Sequence, residues 1–141
     1  MVQKISVEII KNIAHELAVR TMTWDEPVPE FETRIPNILE SCLTVPFQRF
    51  DGKDMYKGLV AKAAMLFYLL IKNHPFQNGN KRIAMTALFI FLYLNKKWVD
   101  VDNEKLYNFA VWVAASDSEF KYETVKAIEK FITKYATKIN S

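Results

Sequence analysis

Two long apolar stretches, residues 56–72 and 82–95, flank a ten-residue polar segment, NHPFQNGNKR, near the middle of the chain. Each stretch would be apolar on every side of a helix, which is typical of helices in the centre of a domain. The connecting segment is short, so the two helices are predicted to be neighbours. A dense polar loop between two buried helices therefore constrains both the fold and the position of a functional site.

The rest of the chain also has a helical pattern. Ser6 is predicted to cap a first helix, and a second helix is expected over about residues 35–43. Asp102 is predicted to cap a further helix, and Ser118 or Glu119 to open a last amphipathic one. With only three Gly and five Pro, the chain has few turn residues for an all-β fold. The sequence predicts an all-α bundle with two buried central helices.

One segment, TVPFQRFDGKDMY at residues 44–56, breaks this helical pattern. Its Asp51-Gly52 pair favours a tight turn between two strands. Apolar and basic residues alternate from Phe47 to Arg49. The segment is therefore predicted to form a short extended or hairpin structure.

Length and charge restrict the class of protein. A chain of 141 residues is expected to form one domain, residues 1–141. Its formal net charge of +3 and pI of about 8.9 fit an anionic ligand or partner. The basic residues form no stripe with interleaved aromatic residues, so nucleic acid is not an expected partner.

The single cysteine, Cys42, cannot form an intrachain disulfide, which favours a reducing compartment. It lies among apolar residues and is predicted to belong to the core. The N-terminal residues lack the features of a signal peptide. The longest apolar run, residues 83–94, is too short to cross the roughly 30 Å of membrane hydrocarbon. We therefore expect a soluble, cytoplasmic protein without a membrane partner.

The polar loop combines several features of a phosphate-binding site. Asn78 and Gly79 form a turn just before a predicted helix, whose first backbone N–H groups can point at an anion. Gly79 lets the backbone approach a ligand closely, while Lys81 and Arg82 add positive charge. His74 can act as a general base near neutral pH. Such residues have structural uses when they occur singly, but together between buried helices they predict a site.

The segment HPFQNGNKR, residues 74–82, resembles the central motif of the Fic/Doc family, H-x-F-x-(D/E)-G-N-(G/K)-R. Its N-K-R ending looks most like the Doc, or death-on-curing, branch. The flanking residues agree with that branch, so the resemblance covers roughly residues 38–95. It implies a Fic-like helical bundle with a motif loop at 74–82 and a short β-hairpin flap at about 46–52.

The resemblance also implies a role for each motif residue. His74 would deprotonate a Ser or Thr hydroxyl of a target protein, and Phe76 would be structural. Asn78 stands at the acidic position that holds Mg²⁺. The catalytic residues would be His74, Lys81 and Arg82. ATP would be bound by Asn78, Gly79, Asn80, Lys81 and Arg82. The flap would align the target backbone by strand addition through Phe47, Gln48, Arg49 and Phe50.

Three positions depart from the Fic pattern. Lys81 replaces a glycine, and Met85 stands where Fic proteins carry a second arginine. Both changes resemble the Doc branch, in which ATP lies in the reverse sense, so they imply transfer of the γ-phosphate rather than AMP. A lysine near the γ-phosphate would stabilise the charge of the transition state. Asn78 supplies an amide oxygen without charge, which predicts weaker Mg²⁺ binding.

The function that the resemblance implies is that of a Doc-like toxin, a protein Ser/Thr kinase that inactivates a translation factor. Elongation factor Tu is the target that the family resemblance implies. Two alternatives remain open. One is a protein AMP-transferase with a variant motif. The other is a catalytically inactive Fic-fold module that only binds a partner. It is suggested by Asn78, which lacks the charge of the acidic motif residue.

We expect such a toxin to be inhibited by another protein chain. No Glu in the sequence is followed by Gly or Asn, so the inhibitory pattern (S/T)-x-x-x-E-(G/N) of many Fic proteins is absent. The resemblance implies an antitoxin in trans whose C-terminal segment folds onto an apolar groove. The aromatic residues Trp24, Phe31 and Trp98 are candidates to line that groove, although each also fits a position in the core or at its edge.

Overall fold

The computed structural model describes residues 1–21 and 27–139, most of which are helical, so the all-α prediction is confirmed. The helices are α1 (Val7–Ile9), α2 (His15–Thr21), α3 (Pro36–Thr44), α4 (Gly58–Lys72), α5 (Asn80–Leu94), α6 (Asn103–Ala115) and α7 (Lys121–Tyr135). Two short sheets accompany them within the described residues. They pair β1 (Arg49–Phe50) with β2 (Lys53–Asp54), and β3 (Lys97–Val99) with β4 (Ala136–Lys138).

Helices α4 and α5 form the centre of the bundle, as predicted. They pack against each other, while α7 covers α4 and α6 covers both. Every residue of α4 from Lys62 to Ile71 is buried. Helix α5 begins two residues earlier than the sequence suggested, because Gly79 takes the N-cap position with a φ of 76°. Within residues 1–21 and 27–139, no helix is long and apolar enough to cross a membrane.

The N-terminal helix is anchored on α5 through a widened turn. Between α1 and α2 the chain forms a π-helical turn, Ile10–Ala14. The hydroxyl of Thr86, which is buried in α5, donates to the carbonyl of Ala14 at 2.8 Å. This bond joins the start of the chain to the helix that follows the polar loop. Nothing in the sequence pattern predicted the π-helical turn.

The predicted helix caps are confirmed at two positions. The Ser6 hydroxyl accepts from the N–H of the third helical residue at 3.1 Å, and Asp102 accepts in the same way at 2.8 Å. The last helix begins later than the predicted start at Ser118 or Glu119, because Ser118–Phe120 forms a 3₁₀ turn and α7 follows it. Asp117 caps that turn by accepting from a backbone N–H at 2.9 Å.

The Asp51-Gly52 pair forms the turn of the β1–β2 hairpin. Both residues lie in the left-handed region, with φ values of 53° and 74°. Two consecutive positive φ values suit the twist of a two-residue hairpin, which is why D-G pairs are favoured there. The hairpin prediction is thus confirmed. Its paired residues lie at 49–54, somewhat later than the predicted flap at about 46–52.

The second sheet was not predicted. In it Lys97 lies opposite Lys138, and Val99 lies opposite Ala136. The two strands are three residues long and are separated in sequence by α6 and α7, so neither periodicity nor a local turn indicates their pairing.

The aromatic residues suggested for a groove differ in exposure where the structure describes them. Phe31 is 5% exposed and packs against Phe76, so it belongs to the core and does not line an exposed groove. Trp98 is 42% exposed and stacks on Phe89, with ring centroids 5.3 Å apart. Trp24 lies outside the described residues.

Candidate functional site

The motif loop leaves α4 by an abrupt change of backbone direction. His74 adopts a φ of 50°, a conformation that costs free energy for a residue other than glycine. The carbonyl of Pro75 then accepts from the N–H of Ile35 at 2.9 Å. Phe76 is 1% exposed, so its predicted role as a core anchor is confirmed. The loop is therefore fixed by the backbone hydrogen bond at Pro75 and by the burial of Phe76.

Asn80 holds the loop closed from within. Its Oδ1 accepts from the N–H of Phe76 at 3.0 Å, and its Nδ2 donates to the carbonyl of Phe76 at 2.8 Å. The side chain is buried and these bonds use both ends of the amide. The phosphate contact predicted for Asn80 is therefore left to its backbone N–H, in the first turn of α5.

The same amide also contacts the exposed His74. Nδ2 of Asn80 lies 3.3 Å from Nδ1 of the ring. Since Phe76 fixes which way the amide points, its NH₂ group faces that nitrogen. At 3.3 Å this contact is long for a hydrogen bond, so the amide holds the ring only weakly.

A cavity of about 300 Å³ joins His74 to the start of α5. Gly79 has no side chain with which to cap this helix, and no described side chain caps it, so the first N–H groups of α5 can bind a ligand. The residues that line this cavity are Ile71, His74, Gln77, Asn78, Gly79, Asn80, Lys81, Arg82, Tyr107 and Ala114. None of the described lining residues is acidic, and Lys81 and Arg82 bring positive charge. The cavity therefore suits an anion.

Another described cavity, of about 520 Å³, lies beside His15 and Phe31. Among the described lining residues are three carboxylates, Glu16, Glu30 and Glu32, and one lysine, Lys11. That charge disfavours a phosphate ligand. The smaller cavity at α5 is therefore the better candidate for anion chemistry.

The glycine of the motif is packed closely by an earlier segment of the chain. A Cβ on Gly79 would lie 3.2 Å from Cγ2 and 3.3 Å from Cα of Val28. Val28 thus sets the position of the turn, yet the sequence offered no motif that links residues 28 and 79. Tyr107 and Ala114 of α6 were also missed, since they lie far along the chain from the loop.

Comparison with known proteins gives the family. The sequence profile of the Fic/DOC family matches residues 2–92. The chain belongs to the Fic/DOC family. Toxin Doc of Mycolicibacterium smegmatis (strain ATCC 700084 / mc(2)155) is 36% identical over 66 residues, which cover 47% of this chain and 51% of the relative. The chain thus spans about half the length of this curated relative. No solved structure matches the present chain significantly.

At the position of the acidic residue in the Fic/Doc motif, Asn78 offers a single neutral oxygen. Its Oδ1 is buried and has no hydrogen-bond partner in the described part of the chain. An amide oxygen can bind a hard cation such as Mg²⁺, although a carboxylate is favoured. Residues 1–21 and 27–139 contain no group of three or more His, Cys, Asp or Glu that could hold a metal. Asn78 therefore fits one metal ligand, and phosphate oxygens and water would supply the others.

The structure does not bring the predicted flap residues into this cavity. Phe47 lies in a 3₁₀ turn and packs edge-on against Phe91, with ring centroids 5.9 Å apart. Phe91 belongs to the C-terminal half of α5, whereas the motif is at the N-terminal end. Gln48, Arg49 and Phe50 continue from Phe47 into the hairpin. The hairpin base therefore lies at the opposite end of the α4–α5 pair from His74.

Proposed function

We propose that this chain is a Doc-like toxin that transfers the γ-phosphate of ATP to a Ser or Thr hydroxyl of a translation factor. The family and the similarity to Toxin Doc support the toxin. One observation carries the reaction type: His74 and the cationic, amide-rich start of α5 line a single cavity. Elongation factor Tu is the target that the family resemblance implies.

In this proposal His74 removes the proton of the acceptor hydroxyl as its oxygen attacks the γ-phosphorus. The new P–O bond forms while the bond from the γ-phosphorus to the β–γ bridging oxygen breaks, and ADP leaves with that electron pair. His74 keeps the proton until solvent removes it. A catalytic contribution from such a base is typically about 10² to 10⁴ in rate.

The charge that spreads over the phosphoryl oxygens would be stabilised from the start of α5. Gly79, Asn80, Lys81 and the buried Arg82 all line the cavity, so their backbone N–H groups and the two cationic side chains are the groups proposed to do this. Met85 is fully buried and takes no part in the cavity lining. The absence of a second arginine there supports γ-phosphate transfer rather than AMP transfer.

Mg²⁺ would be held by Asn78 Oδ1 together with phosphate oxygens, and when bound it would neutralise part of the phosphate charge. The neutral amide gives the ion no opposite charge. An inactive, partner-binding module is therefore the second candidate function. A variant that restores the carboxylate separates the two.

We also propose that an antitoxin restrains this chain in trans. The similarity to Toxin Doc supports such a partner. Exposed apolar side chains are available for it, among them Trp112 at 51% and Phe120 at 56% exposure. A disordered antitoxin segment that folds on binding could bury them.

The test is label transfer in bacterial lysate with Mg²⁺. The wild type, His74→Ala and the neighbouring control Asn73→Ala are each incubated with γ-labelled and with α-labelled ATP. We expect a protein band labelled only from the γ position, lost in His74→Ala and kept in Asn73→Ala. A band labelled from the α position would identify an AMP-transferase instead. If neither the wild type nor Asn78→Asp labels any protein with either form of ATP, the result would support the partner-binding module.

A further inference from the structure

The sequence contains two histidines, and the proposed transfer reaction uses only His74. The other, His15, is the first residue of α2 and is 6% exposed. Its Nε2 lies 2.7 Å from the carbonyl oxygen of Pro29. Since a carbonyl only accepts, Nε2 carries the hydrogen of this bond and donates. His15 therefore links α2 to the segment at residues 27–31.

The carbonyl that His15 binds belongs to the segment that packs on the motif glycine. A Cβ on Gly79 would lie 3.2 Å from Cγ2 of Val28 and 3.5 Å from Cδ of Pro29. Gly79 is the N-cap of α5 and lines the cavity at the start of that helix. A displacement of Pro29 would therefore remove the support of the Gly79 turn, residues 78–80.

The imidazole of His15 also contacts the motif directly. Its ring centroid lies 5.8 Å from that of Phe76 and 5.6 Å from that of Phe31, which it meets edge-on. Phe31 and Phe76 contact each other at 5.9 Å. His15 thus packs against one motif residue while it binds the segment that supports another.

His15 is itself anchored on α5. The preceding residue, Ala14, accepts through its carbonyl from the hydroxyl of Thr86 at 2.8 Å. Thr86 lies in the middle of α5, and Gly79 is the N-cap of the same helix. The contacts therefore form a closed path that leaves α5 at Thr86, runs through His15 and Pro29, and returns at Gly79. Such a path can set the position of the turn relative to its helix.

Apolar packing alone holds the supporting segment weakly. Val28 and Pro29 are partly buried, and residues 27 and 30 are exposed. A buried imidazole also costs free energy unless it is hydrogen-bonded, so an aromatic ring without polar atoms would suit the core better. The donor is useful at this position because it is directional and fixes where Pro29 lies.

We propose that His15 is a positioning residue: its Nε2–H holds Pro29 and Val28 against Gly79 and thereby keeps the first N–H groups of α5 in place for phosphate. The phosphate role rests on the proposed function, whereas the link from His15 to the Gly79 turn does not. Two substitutions separate the parts of the side chain. His15→Phe keeps an aromatic ring without the donor, and His15→Gln keeps an N–H donor without the ring.

The first test measures the binding of ATP with Mg²⁺ by calorimetric titration. We expect His15→Phe to bind ATP about tenfold more weakly than the wild type, the scale of one lost hydrogen bond, and His15→Gln to stay within about threefold of it. The control is Asn95→Ala, which loses its bonds to Gln3 and Phe91 at the other end of α5. This control should lose stability and keep the ATP affinity.

Equal ATP affinities of His15→Phe and the wild type would overturn the proposal. A loss in His15→Gln as large as in His15→Phe would overturn the role of the donor. An equal loss in Asn95→Ala would also overturn it, because general destabilisation would then explain the effect. Should His15→Phe fold poorly, His15→Gln decides: a loss of about tenfold overturns the donor role, and near-native affinity supports it.

The second test measures hydrogen exchange without ligand, so it does not depend on ATP. The N–H of Ile83 donates to the carbonyl of Gly79 at 3.0 Å, and its exchange therefore reports opening of the turn. We expect exchange at Ile83 to be about tenfold faster in His15→Phe than in the wild type or His15→Gln, with the amides at 88–92 unchanged. Equal exchange at Ile83 in all three proteins would overturn the link. If the wild type binds no ATP while His15→Phe still exchanges faster at Ile83, the proposed function and the phosphate role are overturned and the link is supported.

Discussion

Asn80 and Phe76 are joined by two opposed hydrogen bonds, one at 3.0 Å to the Phe76 N–H and one at 2.8 Å to its carbonyl. The side chain of one motif residue thereby occupies both backbone polar groups of another. This closed ring fixes the loop before any ligand arrives. It also places the same amide next to His74.

Replacing this amide tests how much of the loop it holds. We expect Asn80→Ala to lower the free energy of unfolding by about 2 to 3 kcal/mol, because two buried hydrogen bonds are lost. Urea denaturation measures this change. Gln77→Ala, an exposed neighbour in the same loop, should change stability by less than about 0.5 kcal/mol. Equal midpoints for the two variants would contradict a structural role for Asn80.

The close approach of Val28 to Gly79 predicts a specific cost for a side chain there. Gly79→Ala must adopt a φ of 76° and also place Cβ 3.2 Å from the Val28 side chain. Gly58→Ala meets a similar φ of 85° with nothing within 4 Å. The φ strain costs about 1 to 2 kcal/mol in each variant, and the contact adds about 1 kcal/mol for Gly79→Ala. Urea midpoints that do not differ would show that Val28 gives way freely.

The Oδ1 of Asn78, which has no hydrogen-bond partner among residues 1–21 and 27–139, predicts how a carboxylate at this position behaves. Asn78→Asp should bind Mg²⁺ on the order of tenfold more tightly, because it adds the charge that this cation favours. Thermal unfolding with and without millimolar Mg²⁺ measures the difference, since a ligand of the folded state raises the melting temperature. Gln77→Glu adds the same charge one residue away. A Mg²⁺ shift as large in Gln77→Glu would mean that net charge, not the site, is responsible.

The environment of Cys42 predicts an unreactive thiol. Burial raises its pKa from 9.0 to about 12. That difference of three pH units lowers the thiolate fraction by about a thousandfold at pH 8. Reaction with a disulfide reagent should therefore be slower by at least that factor in the native protein than in urea. Similar rates in the two conditions would place Cys42 on an accessible surface.

Local signals in the sequence account for most of the bundle. The apolar stretches gave α4 and α5, while Ser6 and Asp102 marked helix starts because their side chains accept from backbone N–H groups. The D-G pair marked the hairpin turn. These features depend on residues close together in the chain, so pattern and propensity are sufficient to find them.

Features that depend on distant residues were not predictable in this way. The contact of Val28 with Gly79 and the pairing of β3 with β4 join segments that share no motif. The flap illustrates the same limit. Its turn is visible in the sequence, but the end of the bundle on which it sits is decided by the packing of Phe47 on Phe91.

The packing of α7 over α4 has a consequence for how this protein is made. During synthesis the motif loop emerges from the ribosome well before α7, so an incomplete chain carries every motif residue while the apolar face of α4 is still uncovered. Such a nascent chain exposes core side chains instead of a finished site. The order of synthesis would thus delay assembly of the anion-binding cavity until the bundle has closed.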